Sequence, residues 1–356
     1  MAKEFKRSML LCINKYSLYN ALLGVLDSIS DETRGFDVRT RIPHRLLRIH
    51  AQMFRFPNRV RSRWEGYFLN RVNQELIREV DIYDPGLVMV YNSEFLLPET
   101  CLYIRKKAKL VFFMGDSPFY TPINNFYLAS LACGDLILAP DTFWQQQLHT
   151  IGLRQTRFFM TGIDYSSYHI LENDPGLESI PENDLIYTGM CYADSWGYKK
   201  ALLMSRFTGF RFRLYGNKMW KRWFRFFPDL ESHYTESGYI PTADLNRMFN
   251  RTRLIPVDGN PGILNGFHLR LFEALGAGAL PLIEYRYDVA NTLFRGFGKD
   301  LPIITDYSRA KDLAGHYLSN EAERIGLVAG MRSFLDLEYS SRLNGERLVS
   351  YLKEKH

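Results

Sequence analysis

Residues 262–285, GILNGFHLRLFEALGAGALPLIEY, decide how the rest of the chain is read. Across 267–276 apolar residues recur at helical spacing, Gly276 and Gly278 allow a tight turn, and 280–283 is a short, continuous apolar run of the kind buried in a parallel sheet. The stretch is one helix-to-strand step of an α/β fold. Two charges sit on the helix, Arg270 and Glu273, three residues apart and so on adjoining turns of one face. With the helix starting near Gly266, its free N–H groups and dipole would favour an anion. An arginine there opposes the dipole but can grip a phosphate through two N–H donors. Glu273 offers two acceptor oxygens of the sort that hold the vicinal hydroxyls of a ribose. The same spacing also suits a plain Arg270–Glu273 ion pair.

The alternation recurs along the chain. Strands are expected at 9–13, 87–91, 110–114, 136–139 and 157–160, and again at 185–187, 210–215, 254–257, 280–283 and 302–304, with helix-like segments between. Between the two series lies LENDPGLESIPEND, a polar stretch with two prolines and a glycine that reads as a linker. A chain of 356 residues is longer than one core serves well. The expectation is an N-terminal Rossmann-like domain over 1–165, a linker over 166–183, a second Rossmann-like domain over 184–335, and a C-terminal helix over 336–356 that packs back on the first. Ligands of such sheets bind beyond the carboxyl ends of the strands, so a cleft faced by both domains is the expected site.

Composition agrees with a globular protein: apolar residues make up 46% and charged residues 24%, while the high aromatic share of 15% thickens cores or lines a ligand cleft. Cys12, Cys101, Cys133 and Cys191 sit singly, without CxxC spacing or paired histidines, which argues against a zinc site or a disulfide framework and fits a reducing cytoplasm. The apolar run in MAKEFKRSMLLCINKY breaks at Asn14 and Lys15, too early for a secretory signal, and reads as a first strand. No stretch approaches the roughly 18–20 apolar residues of a membrane span, so the expectation is a cytoplasmic protein, soluble or peripheral at the inner membrane face. The net charge of +6 is unevenly spread. Over 38–64 there is no acidic residue, while Arg39, Arg41, Arg45, Arg48, Arg55, Arg59, Arg61 and Arg63 alternate with Leu46, Leu47, Ile49, Met53, Phe54, Phe56 and Trp64. Such a stretch suits an anionic membrane surface or a phosphorylated partner, or equally an arginine-rich face laid on its own domain by its apolar side.

NGFHLRLFEALGAGALPLI resembles the nucleotide-sugar motif of glycosyltransferases with the two-Rossmann-domain GT-B fold, Glu-Gly-Phe-Gly followed by a second glutamate. An arginine shortly before that second glutamate is similar to the branch typified by the spore-maturation protein CgeB. YDPGLVMVYNSEFLLPE, KLVFFMGDSPFY, GDLILAPDTFWQQQLHTIG and TGIDYSSY resemble that branch's first domain, and DLIYTGMCYADSWGYKKALL, FRFRLYGNKMW and SGYIPTADLNRMFNRTRLIPVD its second. The resemblance runs from about Asp81 onward and leaves the arginine-rich segment outside it. It implies a nucleotide-diphosphate sugar, such as a UDP-sugar, as donor substrate, with no further cofactor. Carried over, Glu273 would bind the ribose and Arg270 the pyrophosphate, with Gly266 and Phe267 offering N–H groups and Gly189 letting the backbone approach the phosphates. Tyr239 and Ile240 would pass the nucleobase, and Tyr215, Gly216 and Lys218 would border the same cleft, Lys218 adding a second positive charge. Asn265 stands where the first glutamate is usual, keeping hydrogen-bonding capacity but losing charge. His268 replaces a common glycine and reads either as a donor to phosphate or sugar, or as a packed histidine.

The reaction so implied is transfer of the sugar to a glycan, lipid-linked or protein acceptor. Arg270, Lys218 and the helix N-terminus would stabilise the leaving diphosphate, and no Asp-x-Asp metal motif occurs in the sequence. For an inverting transfer the base candidate is Asp116 in FFMGDSPFY, directly after an apolar strand, with Phe119 and Tyr120 able to stack on a sugar; Asp-Ser-Pro is equally ordinary turn chemistry. Glu94 in YNSEF is the alternative base. Two other readings remain, a nucleotide-sugar-binding protein without turnover and, less favoured, a nucleic-acid contact through the arginines of 38–64.

Overall fold

The computed structural model describes residues 3–12, 18–92, 95–119 and 126–354. The chain forms two compact units, Met1–Thr161 with Ser341–His356, and Gly162–Ser340.

The first unit is a six-stranded sheet of β1 (Phe5–Cys12), β2 (Ser30–Asp37), β3 (Leu87–Tyr91), β4 (Lys109–Phe113), β5 (Leu136–Ala139) and β6 (Thr156–Phe158), ordered β2-β1-β3-β4-β5-β6. Every neighbouring pair is parallel. The helices between them are α1 (Tyr19–Ile29), α2 (His44–Gln52), α3 (Asn58–Tyr83), α4 (Pro98–Arg105), α5 (Tyr127–Ala132) and α6 (Thr142–Thr150). β3 (LVMVY) and β5 (LILA) are buried along their whole length, which is why they are apolar without alternation. β2 (SDETRGFD) escaped the sequence reading because it is a polar edge strand, its Glu32 paired with Arg7 of β1 at 3.2 Å. α6 starts where the Asp141 carboxylate accepts from the N–H groups of Phe143 (2.8 Å) and Trp144 (3.3 Å).

The second unit holds β7 (Asn183–Thr188), β8 (Phe212–Gly216), β9 (Tyr234–Glu236), β10 (Thr252–Val257), β11 (Leu280–Glu284) and β12 (Ile303–Ile304), in the order β12-β11-β10-β7-β8-β9, all parallel. Its helices are α7 (Ser195–Met204), α8 (Thr242–Asn250), α9 (Arg270–Gly276), α10 (Ala310–Ser319) and α11 (Glu321–Tyr339). This is the Rossmann order, with the direction of winding reversing between β7 and β10. On one face Ile186 and Ile255 pack with Tyr168, Phe249 and the small Ala274, Ala277 and Ala279, whose size lets α9 lie close to the strands.

Several expectations need correction. The helix of the opening stretch begins at Arg270 rather than near Gly266, so the preceding residues form a turn and not a helix N-terminus. The stretch 166–183 is not a free linker: it is packed on α8, with Asp174 paired to Arg247 (2.8 Å), His169 N–H donating to Asn246 (3.2 Å) and Arg251 donating to the Ile180 carbonyl (3.1 Å). Two helices replace the single expected C-terminal one. α11 belongs to the second unit, and α12 (Ser341–Lys353) returns to the first and lies on α1. Gly345 makes that approach possible, since a Cβ there would collide with Ser28 Oγ and meet the Ile29 side chain at 2.7 Å. Among the described residues no helix is long and apolar enough to cross a membrane.

Candidate functional site

β7 and β10 flank the point where the second sheet reverses its winding, and both run from apolar residues into polar ones, LIYTG and LIPVDG. Asp258, the residue after β10, is only 3% exposed. An unpaired carboxylate there would cost several kcal/mol, and three side chains meet it. Lys200 of α7 places Nζ 2.7 Å from Oδ2. Tyr187 of β7 donates its hydroxyl to Oδ1 at 2.8 Å and accepts from Lys200 Nζ at 3.1 Å. Arg270 of α9 brings Nη1 to 3.4 Å from Oδ1, donates through Nη2 to the Thr188 carbonyl, and lies over the Tyr187 ring at 4.7 Å.

Burial alone would raise the Asp258 carboxyl, but Lys200 and Arg270 outweigh it and hold the group far below the usual carboxylate range. Burial likewise opposes charge on Lys200, and Asp258 with Tyr187 more than reverses that, pushing its ammonium up. Two cations thus share one hydrogen-bonded carboxylate. Arg270 Nε is buried with no hydrogen-bond partner. The arrangement is a surplus of positive charge, shielded from water, where sheets of this order bind ligands.

A second buried carboxylate lies one strand further out. Glu284, at the end of β11, accepts from the Gly259 N–H at 2.8 Å, from Arg286 at 3.3 Å and from the Tyr307 hydroxyl at 2.9 Å, and pairs with Lys199. It fixes the turn after β10, and with it Asp258.

The structure gathers some of the sequence-derived residues and scatters others. Arg270 does not hydrogen-bond Glu273; its Nη atoms go to Asp258 and Thr188, so the plain ion pair is replaced by a four-residue network. Glu273 is half-buried, and burial raises its carboxyl despite Arg270 and a hydrogen bond to Tyr168. His268 accepts the Arg270 N–H on Nδ1 at 3.1 Å, and burial with the nearby Arg270 charge pushes it down to about 3, so it is neutral at physiological pH. The Asn265 carbonyl accepts from Asp288 N–H at 2.9 Å, Gly266 is buried, and the Phe267 ring is buried edge-on to Phe272 at 5.6 Å. Gly189 and Gly216 face each other: a Cβ on Gly216 would collide with the Gly189 carbonyl, which already accepts the Trp220 indole N–H at 2.9 Å. Tyr215 is half-buried at the end of β8, and Lys218 is exposed just beyond it. Tyr239 is 87% exposed and Ile240 half-buried.

Lys200, Asp258, Tyr187, Glu284 and Arg286 were missed. Asp258 carried a legible signal, an acid and a glycine directly after an apolar strand, the same signal that singled out Asp116. Lys200 in YKKALL carried none, because a buried lysine is recognised only by its partner.

In the first unit Asp116 follows β4, and its Oδ2 accepts from Asn92 Nδ2 at 2.9 Å, while Asn92 Oδ1 accepts from the Gly115 N–H at 2.8 Å. Asn92, the residue after β3, is in the left-handed region at φ 47°. Burial raises the Asp116 carboxyl and the Asn92 donor offsets part of that. Phe119 is exposed nearby. Glu94 and Tyr120 lie outside the described residues. Among the described residues no group of three or more His, Cys, Asp or Glu side chains gathers as a metal site.

Against solved structures the chain aligns almost end to end with a sucrose-phosphate synthase from Thermosynechococcus elongatus, at a TM-score of 0.64 and 10% identity over 97% of this chain and 98% of that one. It aligns similarly with the E. coli trehalose-6-phosphate structure bound with UDP-2-fluoro glucose (0.60, 12%, 98% and 99%) and with Anabaena HepE in complex with UDP-glucose (0.61, 9%, 97% and 99%). The fold is GT-B. At these identities the likeness is one of architecture. The GT-B frame is joined by a sequence match: residues 199–349, from α7 onward, fit a family described as glycosyl transferase-like. No curated protein matches the sequence.

Proposed function

We propose that the chain is a glycosyltransferase of the GT-B fold, near the CgeB-like branch, that moves a sugar from a nucleotide-diphosphate donor to an acceptor hydroxyl. The observation that carries this reading is the buried cationic surplus of Arg270 and Lys200 at the winding reversal of the second sheet, inside the segment that matches the glycosyl transferase-like family. A diphosphate reaching the Arg270 guanidinium supplies the negative charge that Asp258 alone does not. The UDP-sugars carried by the E. coli and Anabaena structures support a uridine donor here.

Arg270 stabilises the charge that grows on the leaving diphosphate, at no cost of reorganisation because Asp258, Thr188 and Tyr187 already hold it in place. Lys218 adds charge from the exposed rim, and Glu273 takes the ribose hydroxyls. With fixed cations in that role, the leaving group needs no metal ion. Asp116, raised by burial and oriented by Asn92, takes the acceptor proton in an inverting transfer. The acceptor is a glycan, lipid-linked saccharide or protein.

Calorimetry with UDP and UDP-glucose, paired with an assay of sugar transfer, tests the proposal. Arg270→Ala should weaken UDP binding on the order of 10- to 100-fold, the worth of a hydrogen bond to a charged group, with thermal unfolding followed to separate lost contact from lost fold. Unchanged affinity in a folded variant would remove the donor site, and nucleotide binding without turnover on any acceptor would leave a binding protein.

A further inference from the structure

The hairpin formed by α2 and α3 departs from the rest of the first unit. None of the residues of α2 is buried, and the buried residues of α3 begin only at Phe68, leaving 58–67 outside the core. Yet the segment is strongly apolar on one side: Phe54 is 67% exposed, Phe56 51%, Val60 50% and Ile49 44%. A globular fold normally covers such a set.

The charges divide into paired and unpaired. Some of the arginines are paired: Arg41 is met by the buried Glu79 at 3.4 Å, and Arg61 by Glu65 one turn on at 2.6 Å. Arg45, Arg48, Arg55, Arg59 and Arg63, all exposed around the aromatic tip, have no carboxylate partner among the described residues. Arg55 instead lies over the Phe54 ring at 5.4 Å. Beside the helices opens a cavity of about 930 Å³ of mixed character, walled by Leu47, Leu69, Phe95 and Phe126 but also by Arg39 and Glu99.

We infer that this hairpin is a docking site for a membrane surface bearing anionic phospholipids. Guanidinium groups pair with headgroup phosphates, while Phe54 and Phe56 enter the boundary between headgroups and acyl chains. A nucleic acid would satisfy the arginines but leave Ile49 and Val60 against water, so the pairing of both features favours a bilayer. The inference stands apart from the reaction proposed above.

Sedimentation of the full chain with vesicles tests it directly. Binding is expected to vesicles containing phosphatidylglycerol and not to phosphatidylcholine alone, and to fall with salt. Arg55→Gln and Arg59→Gln should each lower the partition coefficient about five-fold at low salt, and Phe54→Ser with Phe56→Ser about ten-fold. Arg342→Gln on α12 should change nothing. All these positions are exposed, so thermal unfolding should stay unchanged. Equal binding to both vesicle types, no binding to either, or undiminished binding by the phenylalanine variants would overturn the inference. So would displacement from vesicles by inorganic phosphate at matched ionic strength, or by a short DNA duplex that binds the phenylalanine variants equally well.

Discussion

A single side chain, Asn92, shows how one residue can set the chemistry of another. Its backbone holds the left-handed region at φ 47°, a conformation that costs most residues on the order of 1 kcal/mol, while its amide clamps both Gly115 and Asp116. The donor offsets part of the rise that burial imposes on Asp116. Asn92→Gly keeps the backbone accessible and removes the donor, so the Asp116 carboxyl should rise further. In the role proposed for it, Asp116 must be deprotonated to act. The acid limb of the pH profile of kcat should therefore move to higher pH, whereas a purely structural role would lower the rate at every pH alike. Asp116 was legible in the sequence as an acid after an apolar strand. Asn92 was not, because its role depends on β3 and β4 lying side by side, with Tyr91 opposite Phe113.

At the scale of elements, the Asp258 network ties four of them together: β7 through Tyr187, β10 through Asp258, α7 through Lys200 and α9 through Arg270. Breaking a buried pair by removing one partner typically costs about 3–5 kcal/mol. Lys200→Met should therefore lower the stability of the second unit by roughly that amount in denaturant unfolding. The double variant Lys200→Met with Asp258→Asn should lose less than the sum of the two single losses, since the Lys200–Asp258 pair is broken only once. If the two single losses simply add, the pair is not coupled and the network is packing alone. The strands of this unit could be read from their apolar runs, apart from the short edge strand β9, whose YTE carries no such run. The helix α9 was read too long at its start because the turn over 262–269 is as apolar as the helix that follows it.

For the whole molecule, the chain's return through α12 matters most. The helix leaves the second unit at Ser340 and packs on α1, with Arg157 paired to Glu354 at 2.6 Å and Lys353 to Glu4 at 3.1 Å. Truncation after Ser340 uncovers the α1 face around Gly24 and Ile29 and should destabilise the first unit. UDP binding, proposed above for the second unit, should survive. Two unfolding transitions followed by tryptophan fluorescence, with and without UDP, would check this, and an unchanged first transition would show that α12 is dispensable.

The sequence by itself determined the α/β class, the two series of strands and the motif carrying Arg270 and Glu273, because apolar runs, helical spacing and turn residues are local properties. Only the tertiary structure decided that Arg270 answers to Asp258, that Lys200 is buried beside it, that 166–183 packs on α8, and that the last helix rejoins the first unit. Those pairings link residues far apart in sequence through the order of the strands, and strand order follows from how whole faces bury one another rather than from any short run of residues.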